Sequence, residues 1–374
     1  MGSRQLSNTL KARAFEIGFH AVGICPATPV ERAKNALVER IGAGLLKGYG
    51  FSPETAARYA NPQEALPGAK SVVVVALSYL TRGDSGFAPI ARFARGEDYH
   101  KVVSDKLREL ADWLVERVPE ARTLLCVDTG PVLDRPLAHK AGVGSYGKNT
   151  LIQVPGRGSW VVLGEILTDV DLAPDKPADF DNCKNCDLCL KSCPTGAIIA
   201  PYIIDANRCI SHLTQMKGYI PRELRPFVVH TIYGCDICQE VCPQNRDVEE
   251  TDAPEFLSLC GLRELPDLVE LLKISAREFN RTIKPTAIGW IGRTRLRRNV
   301  ALVLGNLQNP EVVTVLTKTV ADPNAMLRAH AAWALGRIGG ADAKKALIDA
   351  LNHEREQEVT EEISAALSDS EPAD

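Results

Sequence analysis

The chain has 374 residues, a formal net charge of −3, 45% hydrophobic and 24% charged residues. This composition is that of a globular protein with room for two or three domains, and it excludes a fibrous, disordered or strongly basic chain. No apolar run exceeds strand length and the N-terminal stretch lacks the hydrophobic segment of a secretion signal, so a cytoplasmic protein without a membrane partner is expected.

Leu6, Leu10, Ala14 and Ile17 recur at helical spacing before Gly18, which predicts a helix over 4–18. His20–Ala27 reads as a strand, and the β-branched run 71–80 as a buried strand. Residues 99–118 follow an amphipathic helical pattern. Residues 123–130 read as another buried strand, and Arg135–Gly142 as a short helix closed by its glycine. Residues 149–155 and 159–170 read as strands flanking a Gly156–Ser159 turn. The alternation makes 1–175 one α/β (α+β) domain, whose strand directions the sequence leaves open. The Pro- and Asp-rich stretch 171–182 reads as a linker into a cysteine-rich domain, 176–250. The remainder, 251–374, reads as α-helical. Within it Arg297–Leu307 matches Arg328–Ile338 at a spacing of 31, with a weaker third copy near Val359. A period in the thirties with paired helices is the mark of HEAT-like repeats. The last residues, from Ser368, are expected to be disordered.

Eight of the eleven cysteines lie between Cys183 and Cys242, which in a cytosolic chain argues for metal rather than disulfides. Cys183-x2-Cys186-x2-Cys189-x3-Cys193-Pro is a ferredoxin run, whose fourth cysteine serves the other cluster when two are present. Cys235-x2-Cys238-x3-Cys242-Pro lacks its first cysteine, and Cys209 is the free candidate nearby. The expected sets are therefore Cys183, Cys186, Cys189 and Cys242 for one 4Fe–4S cluster, and Cys193, Cys209, Cys235 and Cys238 for the other. A zinc module would show two C-x2-C pairs instead. Cys25, Cys126 and Cys260 sit among apolar residues and read as packing groups. Two clusters beside an α/β domain imply a conduit that feeds electrons to a redox centre in that domain.

The stretch Ala141–Thr150, AGVGSYGKNT, satisfies G-x-G-x-x-G, and all but the last position of a P-loop. Both motifs need a strand before and a helix after, whereas here a helix precedes and a strand-like run follows. It reads as a glycine turn. Asp98-Tyr99-His100 begins like a D-x-H-x-x-G cobalamin signature, but Val103 stands where its glycine belongs. Between Arg277 and Arg298, seven cations (Arg277, Arg281, Lys284, Arg293, Arg295, Arg297, Arg298) face one acid, Glu278. That local excess suits nucleic-acid phosphates, with Trp290 and Phe279 as candidates for stacking on bases. Tyr219 and Arg222 extend it.

Residues 67–79, 91–103, 128–151 and 158–169, the first cysteine run, Arg208–Thr214 and Gly234–Asn245 together resemble the epoxyqueuosine reductases. The resemblance implies a base-off cobalamin in the N-terminal domain, next to two 4Fe–4S clusters fed by an external low-potential donor. It implies reduction of the epoxide of epoxyqueuosine in a tRNA anticodon loop. A corrinoid dehalogenase acting on a small molecule is the alternative. The family's proton donor falls on Asp134, for which the competing reading is a helix cap. The matching motifs place Arg58, Tyr99, Asp134, Lys148, Gln153, Gly158, Asp169 and Ser211 as cobalamin contacts. Ser211, Lys217, Arg222, Arg281, Lys284, Arg293, Arg295, Arg297 and Arg298 are the expected tRNA contacts. A monomer is expected.

Overall fold

A computed structural model describes residues 2–81, 90–257 and 267–369. The readings made for Cys260 and for the tail past residue 369 lie outside them. The chain divides into two units: Met1–Gly83, Gly96–Cys209 and Asp236–Ser258 form the first, and Asp84–Arg95, Ile210–Cys235 and Leu259–Asp374 the second.

The strands of the first unit are β1 (Ala21–Pro26), β2 (Ser71–Ser78), β3 (Thr123–Cys126), β4 (Ser145–Tyr146), β5 (Ile152–Gln153) and β6 (Val161–Thr168). Four of them form a sheet in the order β1-β2-β6-β3. Every neighbouring pair is antiparallel, which answers the question the sequence left open. All of β2 is buried because both faces of the sheet are covered. Helix α2 (Tyr99–Arg117) covers one face: a Cβ on Gly164 would stand 2.7 Å from Val103. Helix α1 (Ser3–Ile17) packs beside it and ends at Gly18, in the left-handed region. The short helix α3 (Asp134–Lys140) covers the other face, where Leu137 and Ala138 pack with Cys25, Val72, Val74, Cys126 and Leu167. Period-2 alternation puts Leu163, Glu165 and Leu167 on this second face.

Three sequence expectations need correction. The strand expected over 123–130 is four residues long, half-buried and at the sheet edge. It stops because Asp128 turns the chain with φ 51°. Residues 149–155 are extended only from Ile152: Thr150 has φ 70°, Ile152–Gln153 forms a hairpin with β4, and Val154 bridges to Gly158 across the expected turn. The glycine stretch therefore contains a strand rather than separating a helix from one. The 171–182 segment is irregular but anchored. Its Ala173 N–H donates to Ser7 Oγ at 2.8 Å, and Lys11 pairs with Asp175 at 2.7 Å.

The cysteine run ends in helix α4 (Leu188–Ser192). In the second unit follow α5 (Ile210–Gln215), α6 (Gly292–Leu307), α7 (Ala325–Ile338) and α8 (Gln357–Asp369). The repeat is visible as repeated chemistry. Arg297 pairs with Asp322 at 2.8 Å, and its counterpart Arg328 pairs with Glu354 at 2.7 Å. A Cβ on Gly305 would lie 2.7 Å from Ala334, and one on Gly336 would lie 2.8 Å from Ala366. Each helix of the repeat thus approaches the next through a glycine that no larger residue could replace without displacing backbone. No helix among the described residues is long and apolar enough to cross a membrane.

Candidate functional site

The ferredoxin run folds into a loop nucleated by Asp181, whose Oδ1 accepts from the Cys183 N–H at 2.9 Å and the Lys184 N–H at 3.2 Å. Cys183, Cys186, Cys189 and Cys242 line one pocket, with Leu188 and Pro243 on its wall. These are the four cysteines expected to share a cluster. Two donors aim at their sulfurs. The Lys148 N–H lies 3.4 Å from Cys183 Sγ, and Gln153 Nε2 lies 3.7 Å from Cys242 Sγ and 4.0 Å from Cys183 Sγ. Such N–H···S bonds tune iron–sulfur centres. Burial first, and the neighbouring thiolates next, push the Cys189 thiol up. Burial also pushes Cys242 up. A closely set group of thiolates of this kind needs a cationic centre to bind it. In the second expected set, Cys193 Sγ accepts from the Ala197 N–H at 3.2 Å. Cys193, Cys209 and Cys238 belong to the first unit and Cys235 to the second, so no single unit contains that set. Cys25 and Cys126 are buried and free, and burial pushes both thiols up to about 12, as expected of packing groups.

Asp134 opens α3 as its first helical residue. The cap position is Leu133, and no side chain caps the helix, so the carboxyl is not used as a helix cap. The residue as a whole is only partly buried, yet its Oδ1 is inaccessible and has no hydrogen-bond partner. Burial, then the charge of Asp128, raise its pKa to about 8, against the opposing pull of Arg135. Asp134 therefore carries its proton at neutral pH, as a general acid must.

Sequence reasoning missed Asp128 beside it and gave Tyr99 a different role, as a cobalamin contact. Tyr99 Oη donates to Asp128 Oδ2 at 2.7 Å, and His100 Nε2 lies 3.4 Å from the same oxygen. His100 Nδ1 pairs with Asp98 Oδ1 at 2.8 Å. Burial pulls the imidazole down, but the bonds to Asp128 and Asp98 win and bring it up to about 9. The hydrogen bond from His100 in turn holds Asp128 below the usual carboxylate range. The Asp-Tyr-His triplet is thus a helix cap and an ion-pair network rather than a metal signature: Asp98 accepts from the His100 N–H at the start of α2. Glu165, on β6, was also missed. It is 0% exposed, and neither carboxylate oxygen has a partner. A charged residue between Leu163 and Leu167 in an apolar alternation was the available signal.

The expected cobalamin contacts disperse. Lys148 Nζ donates to the Lys184 carbonyl at 2.6 Å and the Cys186 carbonyl at 2.9 Å, bracing the cysteine loop. Gln153 faces the same cavity, and its Oε1 is buried without a partner, as is Ser145 Oγ. Gly158 has φ 59°, and a Cβ there would strike Asn245 Oδ1 at 2.1 Å, so it permits a close approach to the chain after Cys242. Arg58 is exposed, over its neighbour Tyr59. Asp169 is corrected to a structural partner: its carboxylate accepts from the Arg122 backbone N–H and Nε at 2.9 and 2.8 Å. In the second unit, Ser211 Oγ accepts from Gln215 Nε2 at 3.1 Å.

The basic cluster also divides. Arg298 is 0% exposed and donates to the carbonyls of Leu213, Thr214, Met216 and Gly218, so it is an internal cross-link rather than a phosphate contact. Arg297 is consumed by Asp322 and the Leu272 carbonyl. Arg222 is held by Glu362 and Asp369. Arg293 donates to the Ile274 carbonyl, and Phe279 is buried, so it cannot stack on a base. Lys217, Arg277, Arg281 and Lys284 are exposed. Trp290 is 57% exposed, with its indole N–H tied to Tyr233 Oη at 2.7 Å and the Arg295 guanidinium 5.0 Å from its ring.

Residues 60–129 match the family model described as epoxyqueuosine reductase QueG, residues 182–245 a 4Fe–4S double cluster binding domain, and residues 292–368 HEAT repeats. The chain is 37% identical over 378 residues to an epoxyqueuosine reductase of Bacillus cereus, covering 98% of each. It is similar to the crystal structure of a selenomethionine-labeled epoxyqueuosine reductase, with a TM-score of 0.92 and 35% identity over 98% of this chain and 99% of that one. An epoxyqueuosine reductase crystallised with an epoxyqueuosine-modified stem loop of tRNA-Tyr gives a TM-score of 0.91 at 35% identity, with the same coverage.

Proposed function

The chain belongs to the epoxyqueuosine reductase family, and from that membership we propose that it reduces the epoxide of epoxyqueuosine in a tRNA anticodon loop to the alkene of queuosine. It is an oxidoreductase with a 4Fe–4S double cluster domain. The overall change takes two electrons and two protons, and the epoxide oxygen leaves as water.

Cys183, Cys186, Cys189 and Cys242 hold one cluster, and Cys193, Cys209, Cys235 and Cys238 the other. The common cavity of the first four supports that division. An external low-potential donor supplies single electrons. The N-terminal domain takes a base-off cobalamin, which when bound supplies the reducing centre. The partnerless buried acceptors Ser145 Oγ and Gln153 Oε1 suit the amide-rich rim of such a ligand. Asp134 donates the proton to the oxygen released from the epoxide. Lys217, Arg277, Arg281 and Lys284 contact tRNA phosphates and Trp290 stacks on a base. These exposed cations favour a nucleic-acid substrate over a small halogenated one.

The observation that carries the reading is Asp134: a carboxyl that does not cap its helix, whose buried Oδ1 has no partner, and whose burial favours the protonated form. The test is turnover of tRNA carrying epoxyqueuosine by the wild type and by Asp134→Asn, each reconstituted with iron, sulfide and cobalamin. Turnover in the wild type and its loss in a variant with full iron content is expected. Undiminished turnover by Asp134→Asn would sink the assignment.

A further inference from the structure

Glu165 stands where hydrocarbon is expected. The register sets it opposite Val74 of β2 and Cys126 of β3, and both belong to the apolar layer beneath α3. It is fully buried, and both of its oxygens lack a partner. A fold that needed only volume would place Leu or Met here. An ionised carboxylate without a donor is costly in such a layer, so the resting group is held neutral, as a proton carrier that ionises only transiently.

The titratable groups that interact with it electrostatically come from several elements of that layer. They are Cys25 on β1, Cys126 on β3, Asp128 just beyond β3, and Asp134 at the start of α3. None of these is a base that would take its proton permanently. Asp134 Oδ1 is the other partnerless carboxyl oxygen of this region, and negative charge on Asp134 or Asp128 tightens the hold of Glu165 on its proton. The two acids therefore behave as a pair that bears at most one negative charge.

Removing an epoxide oxygen as water requires two protons on the same oxygen, and Asp134 holds one. We propose that Glu165 is a positioning residue that holds the second proton and returns it to Asp134 between the two protonations. This rests on the reading of Asp134 as proton donor. In the first protonation the Asp134 O–H bond breaks as the first C–O bond opens, an O–H bond forms on the substrate oxygen, and Asp134 is left as carboxylate. The Glu165 O–H bond then breaks, its proton passes to Asp134, and the negative charge moves to Glu165. Asp134 delivers this proton to the substrate hydroxyl, which leaves as water when the second C–O bond breaks. Solvent returns a proton to Glu165 before Asp134 makes its second delivery and to Asp134 afterwards, so the pair never carries two charges, and the two electrons come from the donor that the reductase already uses. Asp134 and Glu165 make no direct hydrogen bond, so the transfer follows a movement of the Asp134 side chain or the entry of water during turnover.

The experiment combines infrared spectroscopy of the full chain with turnover of the reconstituted enzyme. Wild type and Asp134→Asn should both show a protonated-carboxyl band at pH 7 that disappears in Glu165→Gln. Glu165→Gln keeps the shape and neutrality of the side chain, so it should retain thermal stability and the KM for tRNA. Its kcat should fall roughly 100-fold, and Glu165→Asp should restore part of it, with an altered pH profile. Absence of the band in the wild type, or a wild-type kcat and pH profile in Glu165→Gln, would overturn the proposal. If Glu165→Gln fails to fold, the wild-type band and the pH profile of Glu165→Asp decide. If Asp134→Asn turns over normally while the Glu165 band is present, the reading of Asp134 fails and the protonation of Glu165 stands.

Discussion

The backbone N–H of Lys148 points at the sulfur of Cys183 from 3.4 Å, so the glycine turn serves the cysteine cavity directly. The Lys148 side chain works in the same direction, holding the Lys184 and Cys186 carbonyls. The lysine of the motif that mimics a P-loop thus braces the cysteine loop.

Gln153 is the side-chain donor to that cavity. Gln153→Leu should leave iron content near the wild-type value and shift the potential of one cluster downward, because loss of an N–H···S bond destabilises the more negative, reduced state. A redox titration followed by electron paramagnetic resonance reads this, and unchanged potentials for both clusters would refute it.

Asp134 has a folded-state pKa of about 8, raised above the ordinary carboxylate value. A raised pKa contributes stability that is fully present below the unfolded value near 4 and is lost as pH rises through about 8. Asp134→Asn removes that dependence. At pH 7 and above the variant should be more stable than the wild type, by on the order of a few kcal/mol, while turnover falls by roughly 100-fold or more. Melting temperatures of both proteins from pH 4 to 9 check the sign, and a gap that narrows with rising pH contradicts it.

His100 has the same sign for a different reason. Its pKa is brought up to about 9 by two carboxylates, so its contribution is full below about 6.5 and fades as pH rises through 9. Its side chain is 32% exposed, which screens the interaction to about 1 kcal/mol. His100→Gln should flatten the stability profile between pH 6.5 and 9, where the wild type loses this contribution. It should also let the Asp128 carboxyl rise. Denaturant midpoints across that interval are the measurement.

Arg298 and Lys284 lie in one basic cluster of the sequence and should behave oppositely. Arg298→Ala strips donors from four carbonyls, two of them fully buried, and should cost roughly 3 kcal/mol in stability. Exposed Lys284→Ala should change stability by less than about 0.5 kcal/mol. It should instead lower tRNA affinity and reduce the salt slope of binding by roughly one. Filter binding at several salt concentrations, with thermal melts of both variants, separates them. An unaltered salt slope for Lys284→Ala would falsify its role.

The repeat predicts a packing effect as well. Gly336→Ala places a Cβ 2.8 Å from Ala366, and should lower stability by about 1–3 kcal/mol through forced separation of α7 and α8. A melting temperature equal to that of the wild type would show that the helices yield freely.

Much was legible in the chain alone, because some chemistry is written at short range. The spacing of Cys183, Cys186 and Cys189 and the distant Cys242 named the four residues that line the cavity. The 31-residue match of Arg297 with Arg328 announced two helices that make equivalent ion pairs. The apolar run of β2 declared a strand covered on both faces.

Other properties depend on what a distant segment places against a residue. Seven cations in a row looked like one surface, but helix docking turned Arg298 inward to cap carbonyls more than eighty residues away in sequence. Asp134 could have been a cap or an acid; its place inside the first turn speaks against the cap, and its unpaired oxygen supports the acid as a proposal. Glu165 was one more polar letter in a strand until α3 closed over the sheet and left its carboxyl fully buried and without a protein partner. Local sequence thus determined the ligand types, the repeat and the periodicities, since these follow from neighbours along the chain. Burial decided protonation and which charges remain outward, because both depend on the dielectric and donors that only the folded chain assembles.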